Sequence, residues 1–454
     1  MRGNRLMPAA GQGTASVVEA DLVWTGERFE SGVRIAIGAD GRIEAVGAGA
    51  GPAGLRLAGQ ALLPGLVSAH SHAFQRGLRG RGQTFSAGCD DFWSWREAMY
   101  GLAGSVDRDR FRGLCRAAFG EMRDAGITAV GEFHYLRHSA GARDRALDGI
   151  VLDAAAETGI RIALLPAYYR TGGFGRPLEG AQARFETPSP EAYWEGVDEL
   201  AGRLDPRTQS VGAAAHSVRA AEPDEIAALR EEAAGRGLVF HLHLEEQRRE
   251  VEECWATYGA PPIRLLLDAF AGDAGNAVGI HLTQSSAEDV EAWIRAGGSV
   301  CACPLTEGDL GDGIAKLDPA VAAPGRLSLG TDSNQRIDLT EEMRWLEYGQ
   351  RLTTGRRGVV VDGSGSAARR LLLIATAGGA DAIGVEAGRI EPGRWADLVA
   401  LDLAHPALAG AVEDESADEH PLLAAWVFGA GRDAVAATCV AGRWREGRAR
   451  ALPA

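Results

Sequence analysis

At 454 residues the chain exceeds one ordinary domain and suffices for one large core with a smaller appendage. Its formal charge of −15 argues against a nucleic-acid or anionic-membrane surface, and Lys316 is the only lysine among 47 basic residues, so nearly all positive charge is arginine. No apolar run of about 18 residues occurs, and the six cysteines (Cys89, Cys115, Cys254, Cys301, Cys303, Cys439) lack Cys-x-x-Cys spacing, which predicts free thiols in a cytoplasmic protein.

In chain order, residues 1–16 carry two arginines but no apolar stretch and read as an extension without regular structure. From Val17 to Leu62 short β segments follow, with a hairpin turn at Asp40-Gly41 between Val33–Ile37 and Arg42–Val46. A second β set, 396–401, 424–428 and 436–440, closes the chain. Neither set could bury a core alone, so 17–61 and 388–454 are expected to pair into one composite β-sandwich domain.

Between them, 62–387 alternates strand and helix. Strand candidates are 62–70, 126–135, 159–169, 209–216, 237–244, 277–284, 299–304 and 326–332, and amphipathic stretches such as 109–125, 145–158, 222–236 and 286–297 separate several of them. This predicts an α/β fold, a (β/α)8 TIM barrel. Doubly wound α/β is disfavoured because no G-x-G-x-x-G follows an early strand.

Functional residues of such barrels sit at the C-terminal strand ends. Strand 1 ends in His70-Ser71-His72, two imidazoles on one face that can converge on one ion, although an isolated His-x-His fits two hydrogen-bonded core histidines equally well. The other ends carry His134-Tyr135, His216, His243 with Glu246, His281 and Asp332. Counting His241, seven of the ten histidines (70, 72, 134, 216, 241, 243, 281) gather there. His241 and His243 share a strand face, so periodicity alone does not choose between them.

This pattern resembles the amidohydrolase superfamily over essentially the whole chain, and within it the adenosine-deaminase-type branch. The resemblance implies one metal held by His70, His72, His243 and Asp332; the end of strand 4, Ala215-His216-Ser217, has no lysine to bridge two metals. Zn2+ suits the imidazole and carboxylate shell, and Fe2+ fits it too. The family pattern His-x-x-Glu selects His243 and Glu246, leaving His241 deeper in the barrel and Glu245 as a second candidate acid. Glu246 would carry a proton to a substrate nitrogen, Asp332 would hold the attacking water, and His281 would polarise the reacting group.

The segments His72–Gly80, Phe92–Glu97, His243–Gln247, Thr306–Gly313 and Gly330–Ser333 are similar to the formimidoylglutamate deiminase family. That resemblance implies hydrolysis of N-formimidoyl-L-glutamate to N-formyl-L-glutamate and ammonia in histidine degradation. It also implies substrate carboxylates clamped by Arg96 and Arg219, with Gln75, Tyr135 and His216 as further partners, and a homodimer. Two other readings are weighed. A purine-type deaminase acting on guanine or adenosine would stack its base on Trp93 and Trp95, whereas a non-catalytic metal-binding barrel would have lost ligands or acid that this chain keeps.

Overall fold

The computed structural model describes residues 16–81, 83, 85, 92–412 and 421–446. Eight parallel strands, β1 (Leu66–Ser71), β2 (Ile127–His134), β3 (Arg161–Tyr168), β4 (Ala213–Ala215), β5 (Phe240–Leu244), β6 (Ala277–His281), β7 (Ser299–Ala302) and β8 (Leu327–Leu329), pair in sequence order. The barrel closes just past β8, where Thr331 and Asp332 donate their N–H groups to the His70 carbonyl (3.0 and 3.1 Å) and His72 N–H returns to Asp332 O (2.9 Å). Seven of the eight strands are buried throughout and β7 at all but Ser299, as a barrel wrapped in helices requires.

The helices form as their sequence dictates. In Arg108–Asp124 the buried residues Phe111, Cys115, Ala118, Phe119 and Met122 recur at three- and four-residue spacing, and Asp107 caps the start by accepting from Arg110 N–H. Ser286 caps Ala287–Arg295 in the same way. Among the described residues no helix is long and apolar enough to cross a membrane, and the five described cysteines are free and buried. Cys89 and the 1–15 extension lie outside the described residues.

The two chain ends pair into one mixed sheet of eight strands, ordered Arg443–Glu446, Val435–Val440, Leu398–Asp402, Leu55–Pro64, Ser16–Trp24, Arg34–Ile37 and Ile43–Val46, with Phe29–Glu30 on the edge of Ser16–Trp24. The expected hairpin is present, Gly41 taking φ 91° in its turn. Alternation assigns the faces: Leu62, Leu398 and Ala400 join Val18, Ile35 and Ile37 in the sandwich core, whereas Ala61, Leu63, Val399 and Leu401 pack with the barrel. Arg161 of β3 pins the sheet to the barrel through Asp397 (2.6 and 3.1 Å), both side chains being buried.

Three strand expectations are corrected. The run 209–216 breaks at Gly212 into Gln209–Val211 and β4. The run 62–70 is two strands: Leu62 to Pro64 still pair with Leu398 to Ala400, and the chain crosses into the barrel at Gly65, where a Cβ would lie 2.1 Å from Thr128 Oγ1. The run 424–428 belongs to a helix, Pro421–Gly429, with Trp426 fully buried. A short apolar run carries no periodicity that separates a buried strand from a buried helix.

Candidate active site

At the C-terminal mouth of the barrel the structure brings His70, His72, His243, His281 and Asp332 together, all buried. Asp332 Oδ1 lies 3.3 Å from His70 Nε2 and 3.4 Å from His72 Nε2. His72 Nδ1 donates to the Phe133 carbonyl (2.8 Å) and His243 Nδ1 to the His216 carbonyl (3.0 Å), so both rings present an Nε2 lone pair. Those two nitrogens are 3.3 Å apart. Lone pairs so placed repel unless a cation lies between them, and His70 Nε2 is buried without a hydrogen-bond partner.

The electrostatics agree with a cation site. Burial holds His70 down to about 3 and pushes His72 and His243 below the usual histidine range, leaving imidazoles neutral for ligation. Burial opposes the charge of Asp332, but its contacts with His70, His281 and His72 outweigh that and keep it ionised. Four convergent nitrogen and oxygen donors of this kind fit a divalent transition metal.

Backbone geometry separates the acids. Glu245 has φ 52°, and its buried carboxylate accepts from Ile263 N–H (2.9 Å) at the start of helix Pro262–Ala269. Glu246 faces the cavity instead, with Oε2 3.0 Å from Arg219 Nη2 and Oε1 3.7 Å from His281 Nε2. His241 Nε2 donates to the Ala382 carbonyl (2.8 Å), deep in the barrel and away from the metal cluster. His281 and Asp332, at φ 78° and 43°, also hold left-handed backbone. Such conformations cost roughly 1–3 kcal/mol each and cluster at functional sites.

Above the cluster opens a cavity with an empty volume of about 580 Å³, its mouth included; Gln75, Arg96, Tyr135, His216, Arg219 and Glu246 all line it. Gln75 Nε2 donates to Tyr135 OH (2.7 Å). Burial, reinforced by Arg219, keeps His216 neutral. Arg219 is flanked by two carboxylates, Glu246 and Glu250 (3.6 Å), whereas Arg96 donates to Tyr100 OH (2.6 Å), lies over the Trp93 and Tyr100 rings, and has no carboxylate partner among the described residues.

Sequence reasoning missed several residues. Glu132 of β2 accepts from Ala73 N–H (2.6 Å), fixing the chain just past His72, and burial pushes its carboxyl up to about 8. Glu307 stands 3.3 Å from His281 Nδ1. Phe92, Met99, Tyr100, Tyr169, Phe185 and Leu310 complete the lining, together with Trp95, which the sequence offers as a stacking surface. The only available signal was their position in the segments after β1, β3 and β7.

A parallel eight-stranded barrel, a composite sheet from both chain ends, and a histidine and aspartate cluster at the barrel mouth define a metal-type hydrolase, and the chain belongs to the amidohydrolase family, whose model matches residues 61–445. The chain is 37% identical over 442 residues to the formimidoylglutamate deiminase of Pseudomonas aeruginosa, covering 95% of each. It is 30% identical over 374 residues to a 5-methylthioadenosine/S-adenosylhomocysteine deaminase of Natronomonas pharaonis, covering 81% of this chain and 79% of the relative. A solved amidohydrolase from Brucella melitensis, 32% identical, superposes over 96% of each chain with a TM-score of 0.84. An adenosine deaminase from Xanthomonas campestris solved with zinc shares the fold at 23% identity, covering 96% of this chain and 94% of its own with a TM-score of 0.79.

Proposed function

We propose that the protein hydrolyses N-formimidoyl-L-glutamate to N-formyl-L-glutamate and ammonia, as the name of the Pseudomonas aeruginosa relative describes. The observation that carries this reading is one cavity with two guanidinium groups, Arg96 and Arg219, over a cluster of buried imidazoles and one aspartate. Two cations suit a substrate with two carboxylates. A purine base would call for stacking surface and base-edge donors, and the rings of Trp95, Tyr100, Tyr169 and Phe185 favour that second reading.

His70, His72, His243 and Asp332 would hold one Zn2+, or Fe2+, which when bound supplies the Lewis acidity that brings the pKa of a water toward about 7. His281 Nε2 and Asp332 Oδ2 stand 3.7 Å apart. Asp332 takes a proton from the water as it adds to the formimidoyl carbon, while His281, whose charge burial opposes but which Glu246, Glu307 and Asp332 push up to about 10, orients the water and polarises the reacting group. Glu246 carries the water's other proton to the terminal nitrogen as the water adds, and the proton held by Asp332 follows as the C=O forms, so the C–N bond breaks and ammonia leaves. Arg96, Arg219, Gln75, Tyr135 and His216 hold the glutamate portion so that the formimidoyl carbon meets these groups.

One metal per chain is supported by the absence of lysine from the end of β4, since Lys316 is exposed in the segment before helix Asp318–Ala322. A homodimer is supported by the exposed stripe Trp345, Tyr348 and Leu352 on helix Leu339–Thr354. A cytoplasmic site of action belongs to the same reading, as does the division into a chemical barrel, which the chain enters at Gly65 rather than at the expected boundary of 62, and a supporting sheet domain built from both chain ends. Arg96→Met and Arg219→Met test the substrate assignment. Each should lower kcat/KM by about ten- to a hundredfold on the full substrate, and at least one should be nearly indifferent to deletion of one substrate carboxylate. Equal losses on full and truncated substrates would make both arginines structural.

A further inference from the structure

Arg96 and Arg219 reach the cavity in different electrostatic states. Arg219 already faces Glu246 and Glu250, but among the described residues Arg96 is balanced only by aromatic rings and the Tyr100 hydroxyl. A half-buried cation without an anion is a place where an incoming anion gains most.

The hydroxyls beside Arg96 are oriented from behind. Gln182, buried on the turn Gly180–Arg184 and not itself part of the cavity lining, accepts from Glu179 N–H with its Oε1 (2.9 Å). That fixes the amide: its NH2 group faces Tyr100 OH and Tyr169 OH, both at 3.1 Å, with the Gly172 carbonyl a longer third contact at 3.4 Å. Tyr100 oxygen also accepts from Arg96 Nε, and both tyrosines line the cavity. Since the two oxygens accept from Gln182, their protons must point elsewhere. Both oxygens lie 3.1 Å from the same Gln182 nitrogen, so at most one proton is spent on the neighbouring ring's oxygen. Both hydroxyls belong to cavity-lining residues beside the Arg96 guanidinium, so a proton turned away from Gln182 is free to be donated to a group bound there.

We propose that Arg96, Tyr100 and Tyr169 form a subsite for one carboxylate of the substrate, and that Gln182 is a positioning residue that turns the tyrosine hydroxyls into donors. The proposal rests on the dicarboxylate reading above and deepens it. The Arg96 guanidinium and the hydroxyl protons turned away from Gln182 offer donors at this end of the cavity, which suits an acceptor-only ligand group better than the mixed donor and acceptor edge of a purine.

The test is Gln182→Glu. A carboxylate there accepts where the amide donates, so it draws the hydroxyl protons back and adds a charge that repels the ligand. Steady-state kinetics are run on N-formimidoyl-L-glutamate, on N-formimidoyl-2-aminobutanoate, which lacks the side-chain carboxylate, and on 4-(formimidoylamino)butanoate, which lacks the other. The expected result is a KM raised about tenfold or more on the full substrate with kcat within about threefold. On one truncated compound, the same one the parent handles poorly, the variant should match the parent. If Gln182→Glu does not fold by circular dichroism, the double variant Tyr100→Phe, Tyr169→Phe is held to the same pattern. An unchanged KM, or an equal loss on all three compounds, would overturn the subsite. A parent enzyme that treats all three compounds alike would overturn the dicarboxylate reading and the subsite with it; a parent that discriminates, with variants that keep the parent's full discrimination, sinks the subsite alone.

Discussion

Glu246 is held between a cation and a histidine: Oε2 accepts from Arg219 Nη2 at 3.0 Å, and Oε1 stands 3.7 Å from His281 Nε2. A carboxyl tethered at one oxygen and free at the other is placed to move a proton without changing rotamer. Glu246→Gln should therefore keep its metal and bind substrate but lose about a hundredfold or more in kcat. Glu245→Gln, whose side chain turns away from the cavity toward the start of a neighbouring helix and Ser285, should stay within a few fold of the parent. Activity that survives the first change and dies with the second would move the acid by one residue.

The paired lone pairs of His72 and His243, 3.3 Å apart, imply that the empty cluster is electrostatically poor and the loaded one is not. His70→Ala and Asp332→Ala should lose metal and activity together. Elemental analysis of the parent should give one metal per chain, and two at full occupancy would contradict the single-metal assignment.

The junction between barrel and sheet supplies a stability test that leaves the chemistry alone. Asp397 and Arg161 are 0% and 3% exposed at their side chains, and Asp397 Oδ1 also accepts from Ala441 N–H (2.8 Å). Asp397→Asn strands a buried guanidinium and should destabilise by about 3–5 kcal/mol. Thermal or denaturant unfolding measures this, with kcat of the surviving folded enzyme close to the parent value.

Glu121 gathers Arg76, Arg79 and Arg432, while Arg79 Nη2 also donates to the Asn334 carbonyl (2.7 Å), so one carboxylate ties the segments after β1 and β8 to the C-terminal region. Burial alone raises its pKa, but Arg432, Arg79 and Arg76 outweigh that and lower it to about 2. A depressed carboxyl contributes stability above its unfolded pKa and loses it as pH falls toward the folded one. The stability gap between the parent and Glu121→Gln should thus be full near neutrality and shrink between about pH 5 and about pH 3. A gap that widens on acidification would contradict the pairing.

Much of the fold and site was legible because strand periodicity and strand ends are local properties. His70 and His72 share a face by spacing alone, and the apolar runs marked eight barrel strands. The choice of His243 over His241 was not local, since both share that face and what separates them is depth and the distant Ala382 carbonyl. Glu245 and Glu246 are separated by a left-handed φ at Glu245, which nothing in a run of two glutamates announces. Gln182, Tyr100 and Tyr169 come from three segments that only the barrel brings together, and the helix Pro421–Gly429 was hidden by its apolar composition.

The most direct measurement is ammonia release by the metal-loaded protein from N-formimidoyl-L-glutamate, run beside guanine, adenosine and 5-methylthioadenosine at matched concentrations. The account predicts turnover of the formimidoyl compound with kcat/KM at least about a hundredfold above any of the bases, the margin expected when two charge-assisted carboxylate contacts are present in one substrate and missing from the others. Release from a purine with none from N-formimidoyl-L-glutamate would contradict it.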